Sequence, residues 1–157
     1  PYTGLPGVEN EAVNLHDVGH GKGFGKLSAL EIRNAVRTQH MKLVDTIITR
    51  LKAVPEGDGN MFDNTMLFYF ADNGETHHSD GHEWPFLVFS GRHAKLNIAG
   101  RYIRLPKHGE VGHKTLGNWY TTILNAYGNP IKHFGDLDMA LESKKLPQVG
   151  PIAEFTA

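Results

Sequence analysis

From Ala29 to Lys52 the apolar side chains Leu30, Val36, Leu43, Val44, Ile47, Ile48 and Leu51 recur at three- and four-residue steps or their multiples. That spacing places them on one stripe of an α-helix. Ser28 stands just before them with Glu31 three residues on, the signature of a capping box in which each side chain takes up the other residue's backbone N–H. One long amphipathic helix is therefore predicted over 29–52, ended in a turn by Pro55, Gly57 and Gly59. The pattern then changes. Thr65 to Ala71 is a short, almost continuous apolar run between polar turns, as expected of a strand buried on both faces, and Phe86 to Phe89 is a second. A helix followed by such strands predicts an α/β layer arrangement with a parallel or mixed sheet.

Weaker patterns complete the reading. Leu96 to Leu105 suits an edge hairpin around Gly100. Leu116 to Tyr127 suits a second helix, with Trp119, Ile123 and Leu124 inward and Gly128 as its C-cap. Pro1 to Gly25, rich in Gly and Pro, reads as ordered loop. The chain is thus expected to be a single domain or a fragment of one: a His/Gly-rich loop over 1–27, an α/β core over 28–133, and a tail over 134–157 with a short helix near Leu137 to Lys144.

At 157 residues the chain is long enough to bury a core. A formal net charge of -1 gives no electrostatic reason to expect nucleic acid as a partner, and no apolar run has the ~20 residues a membrane span needs. With no cysteine, thiolate metal sites and disulfides are excluded. The 10 histidines are the one excess, and they favour metal or acid/base chemistry. The chain opens PYTGLPGVEN without Met, basic n-region or apolar h-region, the pattern expected of an internal or processed piece of a longer polypeptide.

Three constellations carry candidate chemistry. Asp72-Asn73-Gly74-Glu75 directly follows the first predicted strand, where α/β proteins place ligands. Its carboxylate and amide offer two hard oxygen donors for a cation; the same residues also suit an Asx turn with no ligand. His77, His78 and His82 share the following loop, where a metal or an anionic substrate would give the clustering a purpose. Pro85 holds Trp84 extended, aiming His82 and Glu83 at the loop mouth. His16-Asp17-Val18-Gly19-His20 is second: residues four apart face the same way on a helical turn, and Asp17 is either a ligand or the carboxylate that orients a ring. His113, flanked by Gly112 and Lys114 at the opening of the second predicted helix, is third. A helix N-terminus favours neutral imidazole and attracts anions, so His113 suits a ligand and Lys114 a phosphate or sulfate contact; a simple helix cap is the alternative. No Gly-x-Ser-x-Gly elbow or phosphate-binding Gly loop occurs.

The order of these pieces resembles the C-terminal half of the alkaline phosphatase and sulfatase superfamily. The resembling stretches are RLKAVPEGDGNMFDNTMLFYFADNGETHHSDGHEWPFLVFSG, GHKTLGNWYTTILNAYG and HFGDLD, and within them the chain is most similar to a usually exported bacterial family, domain of unknown function fifteen-fifty-two. The resemblance implies an alkaline-phosphatase-like sheet with flanking helices, of which this chain is the C-terminal portion. It implies Asp72, Asn73 and His113 as ligands of a divalent metal, with His16, Asp17 or His20 completing a second position. His82 and Lys114 would contact the anionic group, and His78 would carry a proton. The donor set admits calcium, magnesium, manganese or zinc, the Asp-Asn pair tilting towards calcium or magnesium. His-x-x-x-His departs from the superfamily's upstream Asp-x-x-x-His. The superfamily's nucleophile lies in an N-terminal half, here the same polypeptide or a partner chain. The implied function is hydrolysis of a small phosphate or sulfate ester in the periplasm or outside the cell, the alternative being an exported structural or interaction protein that keeps the fold without the chemistry.

Overall fold

The computed structural model describes residues 2–71 and 84–156. It divides the chain into two compact units, Pro1–Met61 and Phe62–Ala157, a division inside the stretch read from sequence as one core.

The first unit holds α1 (Leu15–Gly19), α2 (Ala29–Lys52) and a small hairpin, β1 (Pro55–Glu56) with β2 (Gly59–Asn60). Helix α2 begins where the pattern places it. Glu31 Oε2 accepts from the Ser28 N–H at 2.8 Å, and the Glu31 N–H is donated to Ser28 Oγ at 3.3 Å. These Ser28 hydrogen bonds, side chain first, hold the Glu31 carboxyl below its ordinary value. The inward face differs from expectation. Ala29, Ile32, Val36 and Val44 are buried, whereas Leu30, Leu43 and Ile47 are exposed. The reason lies in what covers the helix: Leu5, Val8, Val13 and Val18, from the Gly/Pro-rich opening segment, pack with Ala29, Ile32 and Val36 into one core. That segment is accordingly more than loop, since it contains α1, capped by Asn14 Oδ1 accepting from His16 N–H at 3.0 Å.

The second unit holds β3 (Met66–Phe70), β4 (Phe86–Ser90), α3 (Leu116–Ala126) and α4 (Met139–Ser143). The two strands pair antiparallel with Phe68 opposite Val88, in place of the parallel or mixed sheet expected. They are also half-buried rather than fully buried: a continuous apolar run carries no information about strand direction. Met66, Phe68, Phe86 and Val88 pack against a core of Leu96, Ile98, Trp119 and Ile152. The Trp119 ring meets Phe68 edge-on at 5.5 Å and Phe155 at 5.2 Å. The Trp84 indole N–H donates to Ala71 C=O at 2.7 Å. No hairpin forms over 96–105; Leu96 and Ile98 turn inward from irregular backbone, and Arg101 donates to the carbonyls of Asn97 and Glu154.

Helix α3 has an unusual stripe. Asn118, Thr121, Thr122 and Asn125 fall at i, i+3, i+4 and i+7, positions that ordinarily carry apolar side chains towards a core. The first three are fully buried. Asn118 Nδ2 donates to the carbonyls of Gln148 and Gly150. Thr121 Oγ1 accepts from Phe134 N–H at 3.0 Å, Thr122 Oγ1 from Ile152 N–H at 2.7 Å, and Asn125 Oδ1 from Ile131 N–H at 2.8 Å. Each threonine hydroxyl in turn donates to the carbonyl four residues back, Gly117 or Asn118. The irregular tail is therefore fastened through its main chain. Tyr127 caps the helix, and Gly128 follows at φ +88°, a value an L side chain rarely adopts.

Candidate functional site

The residues best placed for chemistry lie in the second unit, on the loop leading into α3. Lys107 C=O accepts from Glu110 N–H, and Glu110 C=O accepts from His113 N–H, so the loop winds on itself between Gly109 and Gly112, both at positive φ. Gly112 lies where a Cβ would stand 3.4 Å from Pro106 Cγ. This winding brings His113 Nδ1 to 3.0 Å from Pro106 C=O. A carbonyl carries no proton, so Nδ1 is the N–H donor in that bond, and in the neutral ring Nε2 is the lone-pair nitrogen. Metal-binding imidazoles are held in this way, their other ring N–H donated to a carbonyl or carboxylate. The site thus offers one imidazole whose Nε2 is the nitrogen open to a cation. Half-buried Lys114 follows, and Thr115 then caps α3 through a box with Asn118.

A second histidine accompanies it. The His108 ring lies edge-on to that of His113 at 5.2 Å between centroids, and His108 Nε2 donates to Asp138 Oδ2 at 2.9 Å. Asp138 is itself fixed. Its Oδ1 accepts from the N–H groups of Ala140 and Leu141 at the start of α4, at 2.7 and 3.2 Å. Gln148 clasps its backbone, Oε1 accepting from Asp138 N–H at 2.7 Å and Nε2 donating to Asp138 C=O at 3.0 Å. The His108 hydrogen bond first, then the two helix N–H groups, hold the Asp138 carboxyl below its ordinary value against an opposing desolvation. Neither His108 nor Asp138 stands out in the sequence. The cue was the His-x-x-x-x-His spacing in a glycine loop, but the carboxylate lies 30 residues away, beyond any local pattern.

The early cluster belongs to the first unit. On α1 and its cap the rings of His16 and His20 meet edge-on at 4.8 Å, as their spacing of four predicts. Asp17 Oδ2 accepts from Lys22 Nζ at 3.0 Å, while Oδ1 stands 3.8 Å from His16 Nδ1. Lys22 is the main cause of the lowered Asp17 carboxyl. Asp72, Asn73, His77, His78, His82 and Glu83 lie outside the described residues. Among the described residues, no three or more His, Asp or Glu side chains stand together as a metal cage, and no helix is long and apolar enough to cross a membrane. A shallow depression of about 370 Å³, lined by Arg104, Leu105, Pro106, Lys107 and Glu110, includes the residue whose carbonyl holds His113.

The chain thus combines mixed helices and small antiparallel strands with an oriented imidazole at a helix entrance; no family model, no curated protein and no solved structure matches it.

Proposed function

We propose that this chain supplies the C-terminal half of the metal site of a hydrolase acting on phosphate or sulfate esters, within an alkaline-phosphatase-like domain exported to the periplasm or beyond. The observation that carries the reading is the His113 ring just ahead of a helix N-terminus: Nδ1 is committed to Pro106 C=O, which leaves the Nε2 lone pair for a cation. Asp72 and Asn73 would join it on a divalent ion (calcium, magnesium or zinc). The ion would polarise the ester oxygens when bound. Lys114 and His82 would hold the anionic group by charge, and His78 would carry a proton to or from the reacting oxygen. The nucleophile would come from an N-terminal portion of the same polypeptide or from a partner chain.

Elemental analysis of the purified protein tests this. Stoichiometric divalent metal, with a melting temperature that falls on adding chelator and a His113→Ala variant that loses the metal, is the expected result. A metal-free protein indifferent to chelator would turn the case towards the second reading, a non-catalytic interaction protein. That reading draws on Tyr102, Val111 and Met139, which are 92%, 82% and 81% exposed despite their apolar bulk.

A further inference from the structure

The contacts around His113 form a closed circuit. Thr115 N–H donates to Asn118 Oδ1, Asn118 Nδ2 to Gln148 C=O, and the Gln148 amide clasps the Asp138 backbone. Asp138 accepts from His108, whose ring abuts His113, two residues before Thr115 in the chain. Asn118 is fully buried, Gln148 is 5% exposed, and the His108 side chain is 15% exposed. A surface loop that only had to connect two elements would not need a charged hydrogen bond set on a side-chain clasp and a helix cap. A loop that had to hold one ring in one orientation would.

We propose that Asp138, acting through His108, is the positioning residue that fixes the His113 imidazole for cation capture. The inference rests on the reading of His113 as a ligand and adds to it the support that sets the ring. Asp138 binds His108 with one carboxylate oxygen and the α4 N-terminus with the other. It therefore ties the loop that carries the ring to a rigid anchor. His108 then sets its ring edge-on against that of His113, whose Nδ1 meets Pro106 C=O. Misplacing a ligand's hydrogen-bonded support characteristically weakens metal affinity by about 10- to 100-fold.

The test uses the 157-residue chain, reading imidazole ¹⁵N shifts by NMR at neutral pH and Zn²⁺ binding by calorimetry. The native chain should show His113 as the Nδ1–H tautomer and bind Zn²⁺ with an affinity that His113→Ala reduces. Asp138→Ser keeps an oxygen to cap α4 but is too short to reach His108. His108→Phe keeps an aromatic wall and removes the N–H. Each should mix the His113 tautomers and weaken Zn²⁺ binding by about 10- to 100-fold. The melting temperature of at least one of them should stay within a few degrees of the native value, separating positioning from unfolding. Native tautomer and native affinity in both variants would overturn the proposal. Should His113→Ala bind Zn²⁺ as tightly as the native chain, the ligand reading falls, and the tautomer measurement alone decides whether Asp138 sets the ring.

Discussion

Replacing Asn118 with alanine should cost the second unit more than its size suggests. The side chain is fully buried and makes four contacts. Oδ1 accepts from Thr115 N–H at 2.8 Å and Thr115 Oγ1 at 3.1 Å, and Nδ2 donates to the carbonyls of Gln148 and Gly150, the latter at 2.8 Å. Truncation strands one backbone N–H and two carbonyls. A buried polar group left unpaired costs about 1–3 kcal/mol; with some water entering the vacated space, the total is about 3–5 kcal/mol. Alanine's better helix propensity returns at most about 0.7 kcal/mol. For a unit of roughly a hundred residues each kcal/mol shifts the melting temperature by about 4–8 °C, so a drop on the order of 15–30 °C is expected. Asn118→Asp should be at least as damaging. It keeps the cap acceptor but turns a carboxylate oxygen towards two carbonyls, and the favourable helix-end charge, about 0.3–1 kcal/mol, is too small to compensate. Urea unfolding followed by fluorescence reads both variants, since neighbouring Trp119 sits in the core. A loss below about 1 kcal/mol for Asn118→Ala, or Asn118→Asp proving the more stable of the two, would refute the reasoning.

The inward face of α2 can be checked by a pair of truncations. Ile32→Ala should destabilise by about 2–5 kcal/mol, as emptying a buried site does, while Leu43→Ala, at 61% exposure, should stay within about 0.5 kcal/mol; equal losses in chemical unfolding would reverse the assignment. Acid should act through Asp138, whose carboxyl is lowered in the folded chain. A depressed folded value stabilises above the unfolded carboxylate value near about 3.9 and is lost as pH falls through the lower folded one. Between about pH 5 and pH 3 the native chain should therefore lose more stability than Asp138→Ser; parallel losses by urea midpoint would exclude the contribution.

What was legible in the sequence was local. Ser28 and Glu31 announce α2 because a capping box is completed within four residues, whereas α3 was legible by its apolar spacing and its Thr115–Asn118 box emerged only in the structure. The strands were legible as apolar runs, but their antiparallel register depends on which segments meet. Leu30, Leu43 and Ile47 misled because periodicity says which residues share a stripe and not which stripe is covered; the cover, Leu5 to Val18, is spread through a Gly/Pro-rich segment with no period of its own. His113 could be singled out by its glycine neighbours and the helix after it. Its support could not, since the His108–Asp138 bond joins residues 30 apart that share no motif. Asp72, Asn73, His78 and His82 fall outside the described residues, and their roles belong to the proposal alone.

The amide and hydroxyl stripe of α3 sets how this polypeptide tolerates change. Because Asn118, Thr121, Thr122 and Asn125 grip peptide groups of residues 131–152, the tail is held at those points by its main-chain path, and its side-chain identities matter at Asp138, Leu141, Gln148 and Ile152. The exposed positions of that stretch are thus free to drift in composition, so long as proline avoids the donating positions Ile131, Phe134 and Ile152. The four helix positions have no such latitude, and mutational variation in this unit should be strongly lopsided between the gripping element and the gripped one.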